Sequence, residues 1–295
     1  MKQRTIKRAV EVVGIGLHKG VPVKLRLEPL PENSGIIFYR SDKGVTIPLS
    51  IENVVDTKMA TVIGRNGVVI STIEHLMSTI NAFGIDNLRI ILDNDEIPIM
   101  DGSAISFYLL LKEAGILEQN ESKKFIKIRK EVEVKLDGKF AKVSPSEDVS
   151  YAFKINFNHP AIGEQYYKFN FSTKNYIEEI AKARTFGFLK EVQYLRSIGL
   201  ALGGSLDNAI VLDDKKILNE NLRYNDEFVR HKILDAMGDM RLLGYNMIGS
   251  YDAFSSGHHL NHLLTKEIFA NSENYEIVTY PLKEQLFATN TAPAY

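Results

Sequence analysis

The sequence predicts an α+β fold, and three observations carry that expectation. Each half of the chain reads as strands first and helices after, unlike the alternating order of a doubly wound parallel sheet. In the first half Val21, Val23, Leu25 and Leu27 alternate with Pro22, Lys24, Arg26 and Glu28, the period of two of a half-buried strand. Glu118 through Lys124 is the most polar short stretch between two apolar runs, and it sets the expected boundary between domains at 1–121 and 122–295. A chain of 295 residues, 44% of them apolar, is long enough to bury a substantial core in one large or two medium domains.

The elements follow in order. Gly14–Gly20 reads as the turn that joins a strand around Val10–Val13 to the alternating strand. Its glycines could cradle a phosphate, but a plain hairpin turn is the simpler reading. Further hairpins are expected from Ile36–Tyr39 with Val45–Leu49, and from Ala60–Ile63 with Val68–Ile70 across Arg65-Asn66-Gly67. A helix from Ser71 to Gly84 follows, with Ser71 and Glu74 at capping-box spacing, then a strand at Leu88–Leu92 and a helix that stops near Gly115. The second half restarts with strands at Phe125–Leu136, Lys139–Val143, Tyr151–Phe157 and Tyr166–Phe171, then helical patterns at Asn175–Ala183 and Phe188–Ile198. A short strand at Ala209–Leu212 precedes a helix that Asp226 can cap and that runs to Asp239. A strand at Met247–Phe254, a helix after Gly257 and a strand at Tyr275–Tyr280 complete the pattern. The tail after Leu282 has little pattern and is expected to be mobile. No residue-level repeat relates the halves.

The totals exclude several classes. A formal net charge of −1 gives no electrostatic reason to expect nucleic acid. Zero cysteines exclude disulfides and thiolate metal sites, so any metal must sit on His, Asp or Glu. The basic N-terminus lacks the apolar run of a signal peptide, and no run approaches the ~18 apolar residues that cross a bilayer. A soluble, cytoplasmic protein is expected. Nothing suggests an obligate partner, and a monomer is expected.

The chemistry-bearing residues gather around one helix. His231 and Asp235 are four apart, so their side chains leave one face and can close on one small cation, although the same pair forms an ordinary surface contact in many helices. Asp239 lies one further turn along that line. Glu74 and His75 can supply a base and a ligand from neighbouring positions, or simply a helix-start residue and an interior histidine. His258 follows a glycine-led loop. His258 and His262 are also four apart, and spacing alone does not choose between that pair and His231 with Asp235.

An ordered series of segments resembles the UDP-3-O-acyl-N-acetylglucosamine deacetylase family, the zinc amidases of lipid A biosynthesis. It comprises Gly14–His18, Ser71–Met77, Glu96–Ala104, Ala183–Phe188, Gly203–Ala209, Asn225–Asp239 and Ser256–His258, nearly the whole chain. The resemblance implies two similar α+β domains, each a small, mostly antiparallel sheet on helices, with an insert in each and the active site in the cleft between them. It implies one catalytic zinc on His75, His231 and Asp235, with Glu74 as general base and His258 as the protonated histidine opposite, Asp239 oriented towards it. Lys232 matches a lysine of the substrate site, and Thr185 a hydroxyl near the oxyanion. The substrate implied is an acylated UDP-amino sugar, whose 3-O-acyl chain enters an insert around Arg184–Leu212. Phe186, Phe188, Leu195, Ile198, Leu200 and Leu202 are the expected apolar lining, and Phe157, in Asn156–Pro160, is the candidate to stack on uracil. The amphiphilic substrate could draw the enzyme transiently to a membrane surface. Two departures stand out: Ala60 where some members carry cysteine, and Ser255 where some carry a lysine, which puts one phosphate contact in doubt. His259 and His262 fall outside the family pattern.

Overall fold

A computed structural model describes residues 1–279 and 284–287. Its α+β architecture rests on two five-stranded sheets with the same topology. In the first, the spatial order is Val10–Ile15, Pro22–Pro29, Leu88–Leu92, Ile36–Arg40, Val45–Pro48. In the second it is Val132–Leu136, Lys139–Ser144, Ser250–Phe254, Ser150–Phe157, Gly163–Asn170. The last strand in sequence lies at the centre of each sheet, antiparallel to the second and parallel to the third. A helix precedes that central strand in both halves (Glu74–Phe83 and Glu227–Met240), and another follows it (Ile105–Ala114 and His258–Ala270). The two halves therefore share a topology that their residues do not advertise. Alternation explains each inward face: Val23, Leu25 and Leu27 are buried in the first sheet, and Tyr151, Phe153 and Ile155 in the second.

Several boundaries differ from expectation, each for a local reason. The run expected as one strand at 247–254 is two, Asn246–Ile248 and Ser250–Phe254, in different sheets. Between them Gly249 adopts φ 152°, where an added Cβ would meet Ile128 at 2.9 Å. The expected long strand at 125–136 likewise splits into Phe125–Ile128 and Val132–Leu136. The polar stretch placed at the domain boundary is itself mostly strand: Ile116–Ser122 pairs antiparallel with Lys2–Ile6. The run expected as a helix at 175–183 forms a short helical turn, Thr173–Asn175, and a wide π turn, Tyr176–Ile180. The end of the expected strand at Tyr280 lies outside the described residues. Part of the expected patternless tail is ordered: Glu284–Phe287 forms a 3-10 turn, Phe287 is buried, and its carbonyl accepts from Arg4 Nη1 at 2.8 Å. The rest of that tail lies outside the described residues. Among the described residues no helix is long and apolar enough to cross a membrane.

The Glu74–Phe83 and Glu227–Met240 helices cross in backbone contact. An added Cβ on Gly238 would lie 2.1 Å from the Glu74 carbonyl oxygen, closer than any real Cβ approaches. Both helices are buried for most of their length, so neither can slide away without opening core. Gly238→Ala should lower stability by about 1–3 kcal/mol through this overlap, beyond any gain in helix propensity. Thermal unfolding checks the effect: a Gly238→Ala protein as stable as wild type would show that the helices part without cost.

Candidate metal centre and active-site cleft

The crossing places the starts of two chemistries side by side. Glu74 and His75 open their helix with Ile73 in the N-cap position and no side-chain cap, so the capping box expected from Ser71 and Glu74 does not form. Ser71 Oγ contacts Thr72 Oγ1 instead, and Thr72 turns the chain at φ 59°. Freed from capping, the Glu74 carboxylate points into the protein, where Oε2 accepts from the Thr61 N–H at 3.1 Å. Asp226 also differs from expectation: its carboxylate accepts from Arg230 Nε at 2.6 Å and makes no cap bond.

His75, His231 and Asp235 each offer one ligand atom within a 4.8 Å group, and all three are buried. Asp235 Oδ1 lies 3.3 Å from His231 Nε2 and 3.6 Å from His75 Nε2. It is a buried acceptor with no hydrogen-bond partner, an arrangement that costs free energy unless a cation completes it. Asp235 Oδ2 accepts from Lys232 Nζ at 3.1 Å. The neutral His231 ring donates through Nδ1 to the Ala183 carbonyl at 3.0 Å, which leaves the Nε2 lone pair facing the group. Burial lowers the pKa of both histidines, that of His75 to about 3, so both rings are neutral. Burial works the other way on Asp235, but nearby positive charge, that of Lys232 and His258 included, holds the carboxyl well below its usual range. Two neutral imidazoles and an ionised carboxylate with one orphaned oxygen fit a divalent ion of the zinc type.

On the other side of the group stands a charge relay of three residues. His258, the first residue of its helix, donates from Nδ1 to Asp239 Oδ2 at 2.9 Å, and its Nε2 lies 3.6 Å from Glu74 Oε1. Burial disfavours the imidazolium, but the carboxylates of Asp239 and Glu74 outweigh it and push His258 up to about 10. Burial raises Glu74 to about 7, with Asp239 and Asp235 adding to the effect and His258 opposing it. Asp239 is fixed from two further directions, accepting from Thr61 Oγ1 at 2.6 Å and Asn261 Nδ2 at 2.7 Å. Sequence reasoning missed both partners, and it also missed Glu227. That buried carboxylate accepts from Arg184 Nε at 2.9 Å and from the Arg184 N–H at 3.0 Å, tying the segment that carries Ala183 to the helix of His231 and Asp235. The only signal for Asn261 was its place one turn after His258.

The remaining expected residues surround this centre. Thr185, Phe186, Phe157 and Lys232 line a cavity of about 530 Å³ that also reaches His231, Asp235 and His258. Phe157 packs on Phe186 and Phe188 with centroids 5.8 and 6.0 Å away. Thr185 and Phe186 also line an adjoining apolar cavity of about 380 Å³, with Leu195 and Leu206. Of the other residues expected there, Phe188 lines the first cavity and Leu200 a third of about 260 Å³, with Ala60. Ile198 and Leu202 line none of these cavities and are exposed. Ser255 and His259 sit on the wall of the first cavity, and His259 Nδ1 contacts Thr57 Oγ1 at 3.2 Å. His159 is bound within its turn: its Nδ1 accepts from the Ala161 N–H, and its Nε2 donates to the Asp213 carbonyl. His262 is buried away from the donor group, so His258 and His262 do not form a rival centre.

A buried His-His-Asp donor set beside a carboxylate of raised pKa and an Asp-held imidazole, with His231, Asp235 and His258 on one cavity, is the arrangement of a metal-dependent hydrolase. The family model described as UDP-3-O-acyl N-acetylglycosamine deacetylase matches residues 3–270, and the chain belongs to that family. Relatives carrying the name UDP-3-O-acyl-N-acetylglucosamine deacetylase include one from Nautilia profundicola, 76% identical over 280 residues, which span 95% of this chain and 96% of the relative. One from Nitratiruptor is 66% identical over 94% of both chains, and one from Helicobacter pylori 59% identical over 96% of this chain and 97% of its own.

Because Asp239 is the principal support of the imidazolium, Asp239→Asn should bring the His258 pKa from about 10 down to or below its ordinary value of about 6.5. NMR titration of the imidazole in the two proteins checks this, and an unchanged titration would assign the support elsewhere.

Proposed function

We propose that this chain hydrolyses the N-acetyl group of UDP-3-O-acyl-N-acetylglucosamine, releasing acetate and the free 2-amino sugar nucleotide, the committed step of lipid A biosynthesis. The observation that carries the reading is the placement of Glu74 and the Asp239-held His258 beside the three-residue donor group. His75, His231 and Asp235 are the residues that would hold zinc. Bound there, the ion would acidify a water to a pKa of about 7 and polarise the amide carbonyl.

The side chains supply the proton transfers. Glu74 Oε1, buried with a pKa about 7, takes the proton of the attacking water near neutrality. The Thr185 hydroxyl and the Lys232 ammonium stabilise the negative charge that develops on the carbonyl oxygen. His258 Nε2 delivers its proton to the departing nitrogen, which cannot leave as an anion. Asp239 acts through His258, fixing its Nδ1–H and so presenting Nε2 to the substrate. Phe157 packs on the uracil ring, and Phe186 stands where the sugar meets the apolar cavity, which takes the 3-O-acyl chain. In this reading residues 1–121 and 122–295 are two domains flanking the cleft, and the enzyme is a cytoplasmic monomer that visits the membrane surface transiently.

Zinc content and turnover test the assignment together. His75→Ala and His231→Ala should each lose tight zinc and deacetylation of the UDP substrate, whereas His262→Ala should keep both. Glu74→Gln should retain zinc while kcat falls about 10²–10⁴-fold. Zinc lost with His262 but kept without His75 would overturn the ligand set, and a zinc-loaded wild type inert on the UDP substrate would overturn the reaction.

The pH profile has a definite sign. Activity needs Glu74 ionised and His258 protonated, so kcat/KM should rise through about 7 and fall through about 10. Asp239→Asn should move the alkaline limb to lower pH and the acid limb by less. The lost repulsion from Asp239 and the lost attraction of the His258 imidazolium act on Glu74 in opposite directions. A profile with no alkaline limb below pH 11 in either protein would remove His258 as the acid.

A further inference from the structure

The apolar residues expected to line the acyl passage but found outside it form a surface of their own. Ile198 is 54% exposed and Leu202 51%, and Tyr194, one turn before Ile198, is 65% exposed. They surround the segment that lines the apolar cavity: Leu195 and Ala201 face in, and Leu206 both lines the cavity and is exposed. A strand of the other half completes the patch. Val13 and Ile15 leave the same face of Val10–Ile15 and are 65% and 47% exposed.

The two parts are locked together. The Leu202 N–H donates to the His18 carbonyl at 2.9 Å, and the Gly203 N–H to the Leu17 carbonyl at 3.0 Å. An added Cβ on Gly203 would lie 2.2 Å from the Gly16 carbonyl oxygen and 2.9 Å from the Ile15 side chain, so only glycine permits this approach. Several charges near the patch are held by partners. Glu11 pairs with Lys24 and Arg26, Lys190 with Asp214, and Arg196 donates to the carbonyls of Gly204 and Ala201.

We propose that this patch is the surface by which the enzyme docks on a lipid bilayer, with Ile15, Ile198, Leu202 and Tyr194 seated in the interfacial layer around the mouth of the acyl cavity. The argument for a bilayer is continuity. Leu206 is both exposed and part of the cavity lining, and Leu195 and Ala201 of the lining are chain neighbours of Tyr194 and Leu202. The chain that the cavity takes is itself a lipid tail. This rests on the reading of that cavity as the acyl passage. A docked mouth lets the tail pass from bilayer to cavity with little of its apolar surface crossing water. The exposed residues of the patch are apolar, so docking works by apolar insertion and depends weakly on salt.

Co-sedimentation of the zinc-loaded full chain with phosphatidylethanolamine–phosphatidylglycerol vesicles tests this, alongside deacetylation of a water-soluble short-chain 3-O-acyl substrate. Wild type should sediment with vesicles in low and high salt. Ile198→Ser with Leu202→Ser, and separately Val13→Ser with Ile15→Ser, should each need about tenfold more lipid. Both pairs should keep the short-chain activity, since none of the four side chains lines the catalytic cavity. Vesicle binding unchanged in both pairs, or absent in an active wild type, overturns the proposal. So does a wild-type dimer that both pairs dissolve with no vesicle binding, which would give the patch to a second copy. Wild type that binds vesicles but is inert on the short-chain substrate supports the docking surface while overturning the functional reading.

Discussion

Everything at the centre of this molecule depends on the backbone contact between Gly238 and the Glu74 carbonyl. A side chain at position 238 would hold the two helices apart by the width of a methyl group. Gly238 lies seven residues, two turns, beyond His231 and three beyond Asp235, so the contact brings the start of one helix against the C-terminal half of the other. That is why adjacent residues, Glu74 and His75, can belong to different chemistries. His75 joins the donor group with His231 and Asp235, while Glu74 Oε1 lies 3.6 Å from His258 Nε2. A crossing wider by an ångström or two would leave the donor atoms too far apart for one ion.

The buried charges follow from that geometry. Glu74, Asp235 and Asp239 are three carboxylates in one interior, an arrangement that repels itself unless each has a dedicated partner. Asp239 has His258, Thr61 and Asn261, and Asp235 has Lys232 on one oxygen. Glu74 has a single backbone N–H and the more distant imidazole, and it is the one whose pKa rises into the neutral range. The ranking of partners therefore sorts three like groups into distinct settings: one held by three partners, one with an oxygen left open in the donor group, and one whose pKa lies near neutrality. Asn261 is one of those three partners because Tyr251 and Ser256 both donate to its Oδ1, which fixes the amide with its Nδ2 towards Asp239.

Much of this was legible in the chain. The i,i+4 relation of His231 and Asp235 and the adjacency of Glu74 and His75 are local facts, and the ordered segments linked them across the sequence. What stayed illegible is what tertiary contact decides. The Ser71–Glu74 spacing reads as a capping box, yet the positive φ of Thr72 turns Ser71 away from the helix start. Thr61 and Asn261 meet Asp239 only because strands and helices from both halves converge there, and neither has a spacing signal linking it to Asp239. The apolar letters of the insert could not say which side each faces: Leu195 turns inward and Ile198 outward within one helical turn. Apolar runs also hide sheet changes, since Met247 and Ile248 belong to one sheet and Tyr251 to another, separated by a glycine that no periodicity marks.

The shared topology of the halves explains why the site is asymmetric on a symmetric frame. In each half a helix leads into the central strand and a second helix leaves it, so the two leading helices are equivalent elements that meet face to face. Equivalent helices crossing at their midpoints would offer equivalent residues. Here the crossing is offset, with the first turn of one against the third and fourth turns of the other, and so the frame presents unlike residues at one point. The trailing helices diverge in the same way: the one in the second half opens with His258 in the cleft, whereas the one in the first half opens with Ile105 packed against the apolar cores of both halves. Offset at the crossing, more than any difference in fold, turns two like halves into a donor group with Glu74 and the Asp239-held His258 beside it.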